Sequence, residues 1–238
     1  MKMRMLLAAS AALGLTMAAS SANALITVAG TEQNDLYGNT LAAHGQTMLY
    51  DFDAIAVANV SFTGGTEITT TPDPISTSAP PPLPLADGGV PVTSNANPAG
   101  TVYVDPTDYM SVGGGGSATF AGENGNFFRS FSFYMGSPDT YNKVTFHLRD
   151  GTTKVLEGTA IWGGNPAGDG NRENGYRVYY DFGGSGVDAI TFESSQNSFE
   201  FDGLAGTLGV PEPGTWALMI MGFGGAGAMI RRRKMAVA

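Results

Sequence analysis

The chain contains no cysteine and only two histidines, and charged residues make up only 14% of it. Without cysteine there are no disulfides, no thiolate metal ligands and no cysteine nucleophile. His44 and His147 are the only imidazoles, and no Gly-x-Ser-x-Gly elbow accompanies them, so a serine-type triad finds no support. Basic residues are scarcer than the total of 12 suggests, because Lys2, Arg4, Arg231, Arg232, Arg233 and Lys234 lie at the extreme ends. Residues 25–209 keep six basic and twenty acidic side chains, a charge of about −14. Such a field repels nucleic acid and anionic lipid headgroups; it suits solubility, cation binding or contact with neutral sugars.

What is present is glycine (34), proline (13) and enough aromatic residues for a core, with few helix-like patterns. That composition predicts a loop-rich all-β body of one domain rather than a helical bundle or a disordered chain. Residues 1–24 have the three parts of a secretory signal helix: Lys2 and Arg4, an uncharged run from Met5 to Ala19, and Ala22-Asn23-Ala24 as a small-x-small site. The mature chain is expected to begin at Leu25. Export without disulfides requires that the core alone hold the fold.

Strands are predicted over Tyr50–Val60, Thr101–Val104, Ala118–Ala121, Phe127–Met135, Val144–Leu148, Tyr176–Phe182, Ala189–Glu193 and Phe199–Asp202. In Val144–Leu148 the apolar side chains share one face and His147 takes the other. Phe131, Phe133 and Met135 likewise oppose Ser130, Ser132 and Tyr134. Half-buried strands of this kind suggest a single antiparallel β-sandwich, jelly-roll-like, over residues 25–209. Residues 71–100 hold most of the prolines and read as an exposed loop or spacer. Gly113–Gly116 reads as a turn, since no Lys-Ser/Thr pair or helix follows it.

The C-terminal segment is the most specific feature. Val210-Pro211-Glu212-Pro213-Gly214-Thr215-Trp216-Ala217 leads into an apolar stretch ending at Ile230, then Arg231-Arg232-Arg233-Lys234. As a transmembrane helix, residues 216–230 span about 22 Å, short of a hydrocarbon core of about 30 Å. Trp216 suits one interface and the arginines snorkel at the other, with the basic cluster in the cytoplasm and the body outside. The order Pro211-Glu212-Pro213, Trp216-Ala217, apolar helix, basic stop resembles the PEP-CTERM sorting signal of Gram-negative bacteria, in its PEPxxWA form, over residues 210–238. That resemblance implies cleavage by an exosortase, a membrane-embedded cysteine protease or transpeptidase. Pro211 and Pro213 would keep its substrate extended just outside the bilayer. It also implies passage through the Sec translocon, signal peptidase cleavage, transient anchoring in the inner membrane, and a cell-surface or extracellular destination among exopolysaccharide and biofilm. Phe131 to Asn142 and Phe199-Glu200-Phe201-Asp202 are similar to bodies found before this tail, and that likeness brings no catalytic residues.

In the body, Trp162, Tyr134 and Tyr141 are candidate platforms for stacking on sugars, each weighed against a place in the core. No cofactor is required. Calcium is the metal best suited to the abundant oxygen donors, with Asp169, Asn171 and Glu173 at alternate positions of a turn that departs from the EF-hand pattern. The carboxylate pairs Asp51/Asp53 and Glu200/Asp202 fall about 6–7 Å apart if extended, a glycosidase-like spacing that a solvated strand face also explains. The leading expectation is a non-enzymatic, sorted cell-surface or extracellular-matrix protein that contacts carbohydrate. Its rivals are a secreted glycan hydrolase and a permanently anchored periplasmic protein.

Overall fold

The computed structural model describes residues 26–68, 78–164, 168–210, 220–225 and 227. The strands, in chain order, are β1 (Thr27–Gln33), β2 (Thr47–Tyr50), β3 (Val60–Gly64), β4 (Thr66–Ile68), β5 (Val90–Ser94), β6 (Gly100–Val104) and β7 (Tyr109–Val112). They continue as β8 (Ser117–Gly122), β9 (Phe127–Gly136), β10 (Asn142–Leu148), β11 (Thr153–Glu157), β12 (Gly175–Asp181), β13 (Val187–Ser194) and β14 (Phe199–Gly209). All pairings are antiparallel. One layer runs β1-β12-β9-β14, and β14 continues to β7 and β4 through its first half and to β2 through its second. The other runs β11-β10-β13-β8-β3. They touch edgewise at Val187–Phe128, and β5-β6 forms a separate hairpin.

The layers face each other through aromatic rings supplied by alternate strand positions, the period-2 pattern of a half-buried strand. Phe192 of β13 stacks on Phe201 of β14 at 4.1 Å and meets Phe133 of β9 edge-on at 5.1 Å. Phe120 of β8 meets Phe128 at 5.1 Å, and Phe146 of β10 meets Tyr180 of β12 at 4.9 Å. The alternation expected for β9 and β10 holds: Phe131, Phe133 and Met135 are inside, as are Val144 and Phe146. The body is all-β and arranged as a sandwich.

Two expectations are corrected. Residues 51–59 are not strand. The Asp51 carboxylate accepts the amides of Asp53, Ala54 and Ile55, and Phe52 turns into the core at φ 60°. Asx capping of this kind offers the backbone a turn in place of a ladder. Nor is the proline-rich segment a spacer in its described part. Ala79 to Leu83 is buried on the outer face of the first layer. There the Tyr134 hydroxyl donates to the Pro82 carbonyl, Leu83 N–H to Tyr103 O and Asp105 N–H to Pro81 O. Prolines have no N–H to leave unsatisfied, so a proline run can lie flat on a sheet face at little polar cost.

Beneath that cover Arg177 of β12 is fully buried beside Tyr134, its partner in register. Its guanidinium donates to the carbonyl oxygens of Asp35 (2.8 Å), Gly203 (2.6 Å) and Leu36 (2.5 Å), with Asp35 Oδ2 at 3.8 Å from Nε. Burial lowers its pKa from the ordinary value, and the Tyr179 and Asp35 groups oppose that shift. Phe192→Ala should cost about 3–5 kcal/mol by opening the interlayer contact. Arg177→Ala should cost a similar amount, about 3–5 kcal/mol, by stranding its acceptors and the Asp35 charge. The exposed Val155→Thr should stay within about 0.5 kcal/mol, all three read by urea unfolding.

Candidate functional site

At the end of the sandwich where β9 finishes and β10 begins, two adjoining clefts flank Tyr141. The larger, about 380 Å³, is lined by Gly115, Tyr141, Asn142, Lys143, Glu193 and Ser195 among others. The smaller, about 180 Å³, includes Asn97, Asp139, Tyr141, Arg172, Asn197 and Glu200. The walls are loop residues held by specific bonds. Gly114 N–H donates to Asn197 Oδ1 at 2.9 Å, Arg172 N–H to Asn97 O at 2.9 Å, and Ser195 N–H to Tyr141 O at 3.2 Å. Gly170 is at φ 66°, and a Cβ there would fall 2.7 Å from Asp139 Oδ1, so glycine lets the carboxyl lie against the loop.

The Tyr141 hydroxyl donates to Asn197 O at 2.8 Å. Burial pushes the Asp139 carboxyl up to about 6, against the lowering effect of the neighbouring Tyr141 hydroxyl. Glu200, on the outer face of β14 and 4% exposed, is pushed up to about 8 by burial, with the Ser198 hydroxyl bond opposing. Tyr141 is raised by burial and then by Asp139. On the floor of the larger cleft Asn142 is 1% exposed; its Oδ1 accepts Ser194 Oγ at 3.0 Å and its Nδ2 has no protein partner. Paired donors and acceptors around an aromatic side chain form a surface that can hydrogen-bond polyhydroxyl ligands.

Of the three aromatic candidates, only Tyr141 lines a cleft. Trp162 is 2% exposed and Tyr134 is fully buried, so neither ring offers a face to a sugar. Trp162 is packed at the core edge beside Ile161, and Tyr134 lies under the proline segment. The Asp169–Glu173 turn spends its oxygens internally: Asp169 Oδ1 accepts Asn171 N–H at 3.1 Å and Asn171 Oδ1 accepts Glu173 N–H at 2.9 Å. These are successive Asx turns rather than converging ligands, and among the described residues no three His, Asp or Glu side chains form a metal cluster. Glu200 and Asp202 share a face as expected, but a buried one. His147 Nε2 is 2.9 Å from Thr191 Oγ1, and His44 stacks on Tyr179 at 3.7 Å. Asp139, Asn142 and Arg172 carry no local sequence signal, since separate turns bring them together.

The signal residues Ala22, Ala24 and Leu25, the block Pro211, Glu212, Pro213, Trp216 and Ala217, and the basic Arg231 to Lys234 lie outside the described residues. Of the expected transmembrane helix 216–230, residues 220–225 and 227 are helical and exposed. Among the described residues no helix is long and apolar enough to cross a membrane. Residues 209–234 match the family model described as the PEP-CTERM protein-sorting motif. The chain carries a PEP-CTERM sorting signal. The PEP-CTERM match begins on Gly209, the last residue of β14, which is still paired with Phe127 of β9. No curated protein matches the chain. Among solved structures, the chain is compared with the family 11 carbohydrate-binding module of the cellulosomal cellulase Lic26A-Cel5E of Clostridium thermocellum. Identity is 10%, over 71% of this chain and 98% of that one, with a TM-score of 0.19. A superposition that loose carries no argument.

Because both carboxyls are raised in the fold, the unfolded chain releases these protons first as pH rises. Stability from Asp139 and Glu200 is complete below the unfolded carboxylate range and declines through about pH 6 and about pH 8 respectively. Unfolding midpoints should therefore fall between pH 5 and pH 8.5, and Glu200→Gln should flatten that decline when both are followed by urea titration.

Proposed function

We propose that this chain is an exported precursor whose body is delivered to the cell surface or extracellular matrix by exosortase cleavage near Pro211–Pro213, and there binds polysaccharide without cleaving it. The observation that carries the sorting half is the PEP-CTERM match over residues 209–234. In this reading the Sec translocon and signal peptidase act first, at Ala22-Asn23-Ala24 before Leu25. The tail helix and Arg231–Lys234 then hold the precursor in the inner membrane of a Gram-negative cell until it is cut. The destination is an exopolysaccharide or biofilm setting.

The binding half rests on the geometry of a jelly-roll-like sandwich with distinct poles. Thr27 pairs with Asp181, Asp181 with Ser130 and Gly209 with Phe127, so the body begins and ends at one pole. Nine residue steps along β9 carry the chain about 30 Å to the other, where the Tyr141 clefts open. A tethered body therefore presents them away from the pole that bears the tail. A glycan hydrolase is the second reading, favoured by Asp139 and Glu200, two carboxyls with raised pKa in one cleft. Glu200 is engaged by Ser198 and almost fully covered, which favours binding over proton transfer.

Mass spectrometry of the envelope-associated protein should give a species beginning at Leu25 and ending between Val210 and Pro213. A mature species retaining Arg231–Lys234 would instead establish a permanent anchor and remove the sorting reading. On a glycan array, Tyr141→Ala and Arg172→Ala should each weaken binding about tenfold or more. Release of reducing ends that disappears in Glu200→Gln would replace the binding reading with the hydrolase.

A further inference from the structure

The two clefts on either side of Tyr141 are built as one groove. Tyr141 is strapped to the β13-β14 turn at both ends of the residue. Its backbone oxygen accepts Ser195 N–H at 3.2 Å and Ser195 Oγ at 3.3 Å, and its hydroxyl donates to Asn197 O at 2.8 Å. Among the described residues it alone borders both clefts. A side chain fixed in this way before a ligand arrives loses little freedom on binding.

The floor of the larger cleft carries a donor with nothing to donate to. Asn142 opens β10 in the same inward alternation as Val144 and Phe146, and it is 1% exposed. Its Oδ1 accepts Ser194 Oγ at 3.0 Å, while Nδ2 has no protein partner. A buried donor left unmet costs about 1–3 kcal/mol, and an oxygen held in the cleft removes that cost. The wall selects the kind of oxygen. Lys143 stands in register between Glu157 of β11 and Glu193 of β13, with its Nζ 2.9 Å from Glu193 Oε1. One carboxylate matches the lysine, and the other leaves the wall net negative. Such a wall repels an anionic ligand and accepts the hydroxyl and ring oxygens of a neutral sugar.

We propose that the two clefts are adjoining subsites for consecutive units of one uncharged polysaccharide chain, which passes over Tyr141 and accepts a hydrogen bond from Asn142 Nδ2 in the larger. This rests on the polysaccharide reading and adds the form of the ligand: a stretch of neutral chain rather than a single ring or an acidic sugar. The larger cleft, about 380 Å³, has the size of a small-ligand pocket by itself, and the smaller adds about 180 Å³ beyond Tyr141. There Asn97 and Arg172 offer polar groups to the next unit. A chain that fills both subsites gains by linkage, because the second contact is made by a unit already held nearby.

The test uses the full chain in detergent on an array of neutral and uronic oligosaccharides graded from monosaccharides to hexasaccharides, followed by calorimetry on the neutral series that binds. A tetrasaccharide should bind at least about tenfold more tightly than the monosaccharide. Asn142→Ala should weaken tetrasaccharide binding roughly fivefold. Thr140→Trp, at an exposed position on the wall of the larger cleft, should obstruct that subsite and abolish the gain from length. It also carries the test if Asn142→Ala does not fold. Equal affinity at all lengths, a gain from length that survives Thr140→Trp, or a preference for uronic chains overturns the two-subsite inference and leaves the polysaccharide reading standing. Binding of no glycan at any length removes both.

Discussion

Strand β14 is the constraint on which the rest of the molecule depends. Its inward residues Phe199 and Phe201 close the interlayer core against Phe192. Its outward residues Glu200 and Asp202 line separate polar clefts. Its last residue is the first of the sorting motif. No linker separates the core from the segment that resembles an exosortase substrate. Only Val210, 65% exposed, stands between Gly209 and Pro211. Any enzyme acting on the Pro211–Pro213 strip must therefore work within a few residues of a hydrogen-bonded central strand. Proline has no N–H with which to extend a β-ladder.

The outer face of the same layer shows how a cysteine-free body gains a second buried region. Arg177, Tyr134 and Asp202 are neighbours in register across β12, β9 and β14. Left open, that face would be an ordinary solvated surface. Covered by Ala79–Leu83 and the β5-β6 hairpin, it becomes a buried polar layer whose members must satisfy one another. Arg177 succeeds through backbone carbonyls rather than through Asp35 alone.

Much of the core was legible in the sequence because period-2 alternation survives wherever one strand face meets a dry layer, as in β9 and β10. The sorting signal was equally legible, since its residues act in linear order. What escaped was long-range cover. Pro80-Pro81-Pro82 has the composition of an exposed spacer, and nothing local shows that Tyr134 and Arg177 wait beneath it. Alternation also placed Glu200 and Asp202 on the face opposite the aromatics, correctly, but could not show that face to be buried. Asp51 broke the expected strand after Tyr50 through side-chain capping, an effect that hydrophobic periodicity ignores. Of the Tyr141 clefts the sequence offered Tyr141 and Glu200, but as separate candidates, because the other members come from turns far apart in the chain.

Function and fold are connected here by polarity. Antiparallel strands that run pole to pole alternate their turns between the two poles, so some of the loops lie at the pole opposite Gly209. The β9-β10 turn and the β13-β14 turn are such loops, and they build the Tyr141 clefts. The acidic field of the body adds to this arrangement: about −14 over residues 25–209 disfavours lying against anionic headgroups. In the proposed reading, a tether at the tail pole and repulsion along the flanks would together hold the clefts outward. That geometry would survive removal of the tail, because β14 keeps its partners through Gly209.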